Sequence, residues 1–168
     1  SVGTRSFIPS RSDLQSIAEL GFVVVELDAM GTAGRSKSFH EVYYGNMGDN
    51  GLPDQITGIR QLAERYGWID INRVGIFGHS GGGYAAADAI LRHPDFYDVA
   101  VAQAGNHDNR NYEDDWGEKW QALLVENPDG STNYDNQANQ LLAENLVGKL
   151  LIAHGTTDTN VPLSNTML

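Results

Sequence analysis

Short apolar runs alternate with amphipathic stretches along the chain. Four runs are almost continuously apolar, which is typical of strands covered on both faces in a parallel sheet; they are residues 22–27, 74–77, 99–102 and 150–153. Apolar residues at helical spacing predict helices over residues 14–20, 52–66 and 137–146, and small residues predict another helix after Gly83. This alternation predicts an α/β fold with a mainly parallel sheet flanked by helices.

The second apolar run ends in Gly78-His79-Ser80-Gly81-Gly82, which fits the pattern G-x-S-x-G. Between a strand and a helix, this pattern indicates a nucleophile elbow, a sharp turn that exposes the serine hydroxyl in an α/β hydrolase. We expect a strained backbone at Ser80 and clashes for any side chain two residues to either side. The N–H of Gly81 would lie at a helix N-terminus, where it can stabilise an oxyanion.

A serine hydroxyl needs a general base, and the base needs an orienting carboxylate. In an α/β hydrolase the partners follow the serine in the order Asp or Glu, then His, each in a loop after a strand. Asp158 follows the last predicted strand and is the candidate acid. No histidine follows it, so we expect the base to lie beyond Leu168. The chain is then a single partial domain over residues 1–168, truncated at both ends.

The histidines within the chain are poor candidates for the base. They are His40, His79, His93, His107 and His154. His79 adjoins the serine on the turn and should point elsewhere. His154 lies at the end of a strand, where a structural role is expected, whereas His107 follows the third strand and could line a pocket.

The composition restricts the kinds of partner. A net charge of −11 over 168 residues argues against nucleic acid and against an anionic membrane surface. The lack of cysteine excludes disulfides, thiolate zinc sites and cysteine nucleophiles. There is no membrane-spanning apolar run and no signal peptide, so we expect a soluble protein, with its compartment open between periplasm and cytoplasm. The acidic residues Asp108, Glu113, Asp114 and Asp115 lack the spacing of a calcium loop, which predicts a solvated loop instead.

Four segments together resemble the catalytic domain of the prolyl oligopeptidase family of serine peptidases, nearest its dipeptidyl-peptidase IV branch. Residues 78–84 are similar to the family's G-x-S-x-G-G-Y, and residues 154–161 to its H-G-x-x-D-x-x-V. Residues 54–76 resemble the helix and strand before the elbow, and residues 106–120 resemble a segment that lines the substrate pocket. The resemblance implies an α/β-hydrolase domain that cleaves peptide bonds through an acyl-enzyme, as a dipeptidyl-peptidase or an oligopeptidase.

The resemblance also implies the catalytic roles. Ser80 matches the nucleophile, Asp158 the triad acid and Gly81 the backbone donor to the oxyanion. A tyrosine that would be the second oxyanion donor, and the catalytic histidine, are expected outside this chain. The family's chemistry implies a peptide substrate and neither a metal nor a cofactor.

Four further residues match positions that contact substrate in the family. Tyr112 and Trp116 fall where the dipeptidyl-peptidase branch places two tyrosines around the S1 side chain, although simple core packing would also explain two such aromatics. Asn160 matches a contact to the substrate carbonyl, and Val161 matches a pocket wall. The chain departs from that branch at Asn109, which stands in place of a pocket aromatic.

The resemblance implies a longer parent protein with an upstream β-propeller, and it also allows a homodimer. We expect the present chain alone to be inactive. Two alternatives remain open from the residues. One is an α/β hydrolase that acts on esters. The other is a catalytically dead α/β-hydrolase-like binding domain, which gains weight if the full gene lacks a downstream histidine.

Overall fold

The computed structural model describes residues 12–168, with side chains from residue 14 onward. The helices there are α1 (Ser12–Glu19), α2 (Lys37–His40), α3 (Leu52–Arg65), α4 (Gly81–Arg92) and α5 (Asp114–Gln121). The strands are β1 (Gly75–His79), β2 (Val99–Gln103) and β3 (Lys149–Ala153). Short 3-10 helices lie at Glu41–Tyr43, Asn109–Asn111, Asp135–Gln137, Asn139–Asn145 and Leu163–Asn165. Within this part of the chain, no helix has the length and apolar character needed to cross a membrane.

The three strands form one parallel sheet in the order β1-β2-β3. At its carboxyl end, His79 of β1 is paired with Gln103 of β2, which is paired in turn with Ala153 of β3. Since all three strands run in the same direction, the loops that follow them leave from one edge of the sheet. Three of the four predicted strands, and the parallel sheet with flanking helices, are therefore confirmed.

The fourth predicted strand, residues 22–27, is wrong, because no strand forms there. A strand needs ladder hydrogen bonds from a neighbour, and in the described part of the chain the edges formed by β1 and β3 pair only with β2. The segment is also not covered on both faces, since Phe22 is 64% exposed. Its Leu27 packs instead against α3, so closely that a side chain on Gly58 would overlap it.

The core lies between α4, α3 and one face of the sheet. Ala89 and Ile90 of α4 are fully buried against Ala100 of β2, and Leu52 and Ile56 of α3 pack into the same cluster. Each fully buried large aliphatic side chain stabilises the fold by about 1.5–3 kcal/mol. Small alanines on α4 allow the helix to approach the sheet closely. This packing fixes the position of α4, the helix that begins at the predicted elbow.

The opposite face of the sheet is open within the described residues. Phe77, Val101 and Leu151 are neighbours across the three strands, and Phe77 and Leu151 are 52% and 60% exposed. The sequence thus has apolar side chains on both faces of these strands, which is why it predicts strands covered on both faces. The residues that the structure describes cover only the α4 side.

The helix predicted over residues 137–146 is wrong in type, since the region forms two 3-10 helices instead. Its amide side chains are bonded to backbone elsewhere. Gln137 donates to the carbonyl of Gly45 at 3.0 Å and Asn139 donates to that of Tyr84 at 3.0 Å. Amide side chains that bond to distant backbone compete with a regular helix, which accounts for the tighter turns.

The start of α4 is pressed against the carboxyl end of β2. A Cβ on Gly83 would overlap the carbonyl oxygen of Gln103, whereas a Cβ on Gly82 would have nothing within 4 Å. Glycine at position 83 therefore permits the close approach of helix and strand, and its neighbour provides a matched comparison.

We expect Gly83→Ala to lower the free energy of unfolding by at least about 2 kcal/mol, because the group it would strike is backbone and cannot rotate away. Gly82→Ala should be neutral or stabilising by up to about 1 kcal/mol, since alanine favours a helix over glycine. Urea unfolding followed by circular dichroism measures both variants. Equal losses in the two would show that the contact with Gln103 is not the constraint.

Candidate active site

The predicted elbow forms between β1 and α4. Ser80 has φ 58° and ψ −124°, which places a non-glycine residue in a backbone region that costs about 1–3 kcal/mol. Its N–H donates to the carbonyl of Gln103 at 2.8 Å, and its own carbonyl accepts from Tyr84 at 3.0 Å. Its side chain makes no capping hydrogen bond to the helix. The turn is thus held by backbone bonds, and no hydrogen bond from the described side chains, residues 14–168, engages the Ser80 hydroxyl.

The glycines of the elbow are not equally necessary. A Cβ on Gly78 would overlap the carbonyl of Gly82, so position 78 must lack a side chain. The expectation of a matching clash two residues after the serine is wrong, because a Cβ on Gly82 would meet nothing. The second steric requirement falls one residue later, at Gly83, where the helix meets β2.

Gly81 places an open backbone donor next to an aromatic ring. As the first residue of α4 it has an N–H with no acceptor inside the helix. A Cβ at this position would lie 3.6 Å from Cζ2 of Trp116, so the indole lies directly beside the elbow. The structure therefore brings Trp116 of α5 to the residue that follows Ser80.

Tyr112 and Trp116 form an aromatic pair beside the elbow. Their ring centroids are 5.6 Å apart at an interplanar angle of 73°, an edge-to-face contact. The Tyr112 hydroxyl donates to Oδ1 of Asn160 at 3.4 Å, and partial burial raises the pKa of that phenol. Both rings are half-buried. The pair therefore joins the elbow to the loop after β3 and keeps part of each ring at the surface, unlike plain core residues.

The loop after β3 holds Asp158 with one oxygen engaged. Oδ1 accepts the N–H groups of Asn160 at 2.9 Å and Val161 at 3.0 Å, whereas Oδ2 lies 3.6 Å from Nε2 of His154. The two backbone donors hold the pKa of this carboxyl below its usual range, with smaller contributions from His154 and His79. Asp158 is thus an oriented carboxylate whose second oxygen is not bonded to the loop backbone.

His154 is buried beneath that loop and holds it by two hydrogen bonds. Its side chain is only 1% exposed, Nε2 contacts the carbonyl of Val161 at 2.8 Å, and Nδ1 contacts the Thr166 hydroxyl at 2.7 Å. A carbonyl can only accept, so Nε2 carries a proton and donates to Val161, and Nδ1 shares the second hydrogen bond with the threonine hydroxyl. With both nitrogens occupied, His154 is structural. Val161 is itself buried, and its backbone N–H and carbonyl bond to Asp158 and His154.

The remaining histidines do not reach the serine. His107 lies in the core rather than in a pocket, with Nδ1 accepting from Nδ2 of Asn139 at 3.0 Å. His93 is paired with Asp49 at 2.9 Å, and His79 is exposed at the end of β1. Over residues 12–168, no hydrogen bond joins a histidine to the Ser80 hydroxyl.

The acidic cluster is divided rather than uniformly solvated. Asp108 is buried and accepts from the guanidinium of Arg110, at 2.9 Å from Nε and 2.6 Å from Nη2, which corrects its assignment to a solvated loop. Glu113, Asp114 and Asp115 are exposed, as expected. Among the described residues no group of three His, Asp or Glu side chains could hold a metal ion.

Sequence reasoning missed a set of buried amides beneath α5. Asn106, Asn109 and Gln121 are almost fully buried and hydrogen-bonded to one another. The one available signal is the run of polar residues that comes after β2, Asn106 to Asn109, where a surface loop would be the ordinary expectation. Only the contacts reveal that this run lies inside the fold.

A parallel sheet, a strained serine between strand and helix, and a carboxylate after the last strand define an α/β hydrolase. The chain belongs to the prolyl oligopeptidase family, since the family's model matches residues 9–168. The resemblance noted from the motifs is thereby confirmed.

Relatives and solved structures agree with this assignment. Human dipeptidyl peptidase 8 is 33% identical over 157 residues, covering 92% of this chain and 17% of the relative. A probable dipeptidyl-aminopeptidase B from Aspergillus terreus is 31% identical over 158 residues, with the same two coverages. The crystal structure of dipeptidyl peptidase 4 from Porphyromonas gingivalis has a TM-score of 0.73 and 28% identity, covering 83% of this chain and 19% of that one. The chain thus spans about a sixth of the length of these curated relatives.

Burial of His107 makes stability depend on pH. Desolvation, and to a lesser degree His154, lowers its pKa from 6.5 to about 4. The unfolded state therefore binds more protons than the folded state between these values. The stabilisation from neutral His107 is complete above pH 6.5 and is lost as the pH falls towards 4, up to about 3 kcal/mol.

We expect the free energy of unfolding of a His107→Gln variant to fall less steeply than that of the wild type between pH 6.5 and 4. Urea unfolding at a series of pH values measures this slope. Asn127→Gln, at an exposed position without a titratable group, should keep the wild-type slope. A slope that is unchanged in His107→Gln would contradict the assignment.

Proposed function

We propose that this chain is part of the catalytic domain of a longer serine peptidase, which hydrolyses peptide bonds through an acyl-enzyme on Ser80. The observation that carries the proposal is the strained, uncapped turn at Ser80. A residue held at a backbone cost of about 1–3 kcal/mol, with a side chain that does not cap the helix behind it, is more readily explained by chemistry than by folding.

In the proposed reaction the Ser80 oxygen attacks the carbonyl carbon of the scissile bond. A histidine from the rest of the parent protein accepts the serine proton, and Oδ2 of Asp158 orients and stabilises that histidine. The N–H of Gly81 stabilises the oxyanion, together with a second donor from outside this chain. The histidine then gives its proton to the leaving amine, and water hydrolyses the acyl-enzyme by the same steps. Without that histidine, the 168-residue chain alone would lack the base.

The aromatic pair favours a substrate that carries a small apolar side chain next to the scissile bond. Tyr112 and Trp116 meet edge to face beside Gly81, which suits a compact ring or short aliphatic group. Asn160 is exposed beside them and could meet a substrate carbonyl. Several relatives are named dipeptidyl peptidases, which supports removal of dipeptides as the finer activity. The proposal also includes a β-propeller upstream in the parent protein and a homodimer, and the family alone supports these two features.

The proposed acid can be tested against a matched aspartate. Asp129, like Asp158, lies on a surface turn and accepts a backbone N–H two residues ahead, at 3.0 Å. In the parent protein we expect Asp158→Asn to lower kcat/KM for a dipeptidyl-amide reporter by about 10³-fold or more, because the histidine loses its orienting charge. Asp129→Asn should leave it unchanged. Equal effects of the two changes would remove Asp158 from the mechanism.

The nucleophile is tested by labelling the parent protein with a fluorophosphonate. Labelling that disappears in Ser80→Ala supports the acyl-enzyme. No labelling of the wild type would indicate a catalytically dead binding domain. Hydrolysis of acetyl esters without hydrolysis of dipeptidyl amides would indicate an esterase on the same fold.

A further inference from the structure

Three amide side chains form a buried relay beneath α5. Nδ2 of Asn106 donates to Oδ1 of Asn109 at 2.6 Å, and Nδ2 of Asn109 donates to Oε1 of Gln121. The same Nδ2 lies 3.4 Å from Sδ of Met47. Asn109 is 4% exposed and the other two amides are more deeply buried. One side chain therefore satisfies two neighbours that have little access to water.

The relay connects the sheet to the far end of α5. Asn106 lies just after β2, Asn109 begins a 3-10 helix, and Gln121 is the last residue of α5. A buried amide without a partner costs about 1–3 kcal/mol, so the position of Gln121 relative to Asn106 is strongly constrained. The relay thereby determines where α5 lies with respect to the strand ends.

Close packing transmits this constraint along α5. A Cβ on Gly117, in the middle of the helix, would lie 3.3 Å from the Tyr134 hydroxyl and 3.6 Å from the carbonyl of Asn109. The Tyr134 hydroxyl donates to the carbonyl of Ala122 at 2.7 Å, just past the helix end. Trp116, the residue before Gly117, is the one whose indole lies beside Gly81. The helix is thus held from behind while its indole faces the elbow.

We propose that Asn109 is a positioning residue that sets substrate selectivity, because it holds α5 where the Trp116 indole lies beside Gly81, the residue after the proposed nucleophile. The proposal rests on the proposed function, since it assigns a role in the same substrate site. Asn109 does not contact substrate. It acts through Trp116, and its loss should affect how tightly the side chain next to the scissile bond is held.

The test compares Asn109→Leu in the parent protein with the wild type, using dipeptidyl-amide reporters that carry proline or alanine next to the scissile bond. Leucine keeps the branching and the number of side-chain heavy atoms but leaves the donor of Asn106 and the acceptor of Gln121 without a partner. We expect KM for the proline reporter to rise about tenfold and KM for the smaller alanine reporter by less than about threefold, with kcat for both changed by less than about threefold. Labelling of Ser80 by a small fluorophosphonate should stay within about twofold of the wild type, because the elbow is intact.

A second background distinguishes positioning from general destabilisation. In Trp116→Ala, adding Asn109→Leu should cause no further rise in KM, because the residue through which Asn109 acts is gone. Asn127→Leu, which removes an amide bonded to Ser131 at 3.0 Å on an exposed turn, is the matched control and should resemble the wild type. If Asn109→Leu does not fold, Gln121→Leu breaks the same relay from its other end and should give the same rise in KM.

The outcomes separate the two proposals. An unchanged KM in folded Asn109→Leu, or the same rise in KM with and without Trp116, would overturn the role of Asn109 and leave the peptidase assignment intact. Wild-type protein without Ser80-dependent labelling would overturn the proposed function and this inference with it.

Discussion

The hydrogen bond from the Ser80 N–H to the carbonyl of Gln103 fixes the position of almost everything else at the site. At 2.8 Å it ties the residue just after β1 to the last residue of β2. The same carbonyl lies where a side chain on Gly83 would stand, so the helix can approach only because that residue has none. The strained backbone at Ser80 lies between these two contacts, at the turn from β1 into α4.

The site is assembled from the segments that leave the carboxyl ends of the three strands. The elbow comes after β1, the buried amides come after β2 and the Asp158 loop comes after β3. Parallel strands bring these three segments to one edge, and polar side chains then have to be satisfied in a crowded space. His154 does this inside the last loop, and Asn109 does it beneath α5. Polar residues that face the interior therefore determine how the segments around Ser80 are arranged.

Much of this arrangement could be predicted from the residues. The apolar runs of β1, β2 and β3 and the serine pattern are local signals, and each corresponds to a local structure. The run at 22–27 carries the same signal, yet it forms no strand because a ladder needs a neighbour that sequence pattern does not specify. The buried amides were missed for a related reason, since a polar run after a strand has the same composition whether it lies in water or under a helix. Glycine is required at position 83, and not at position 82, because of the carbonyl of Gln103 at the end of β2. That residue is distant in sequence, so the requirement has no local signature.

The indole beside Gly81 also has a spectroscopic consequence. The chain contains three tryptophans, and they occupy different environments. Trp68 is largely in solvent, whereas Trp116 and Trp120 are half-buried with their ring centroids 5.7 Å apart. Two indoles this close give coupled near-ultraviolet circular dichroism, and only one of them lies against the elbow. A change at the elbow would therefore alter the surroundings of the Trp116 indole and leave those of the solvent-exposed Trp68 unchanged, so tryptophan fluorescence is placed to report on this part of the fold.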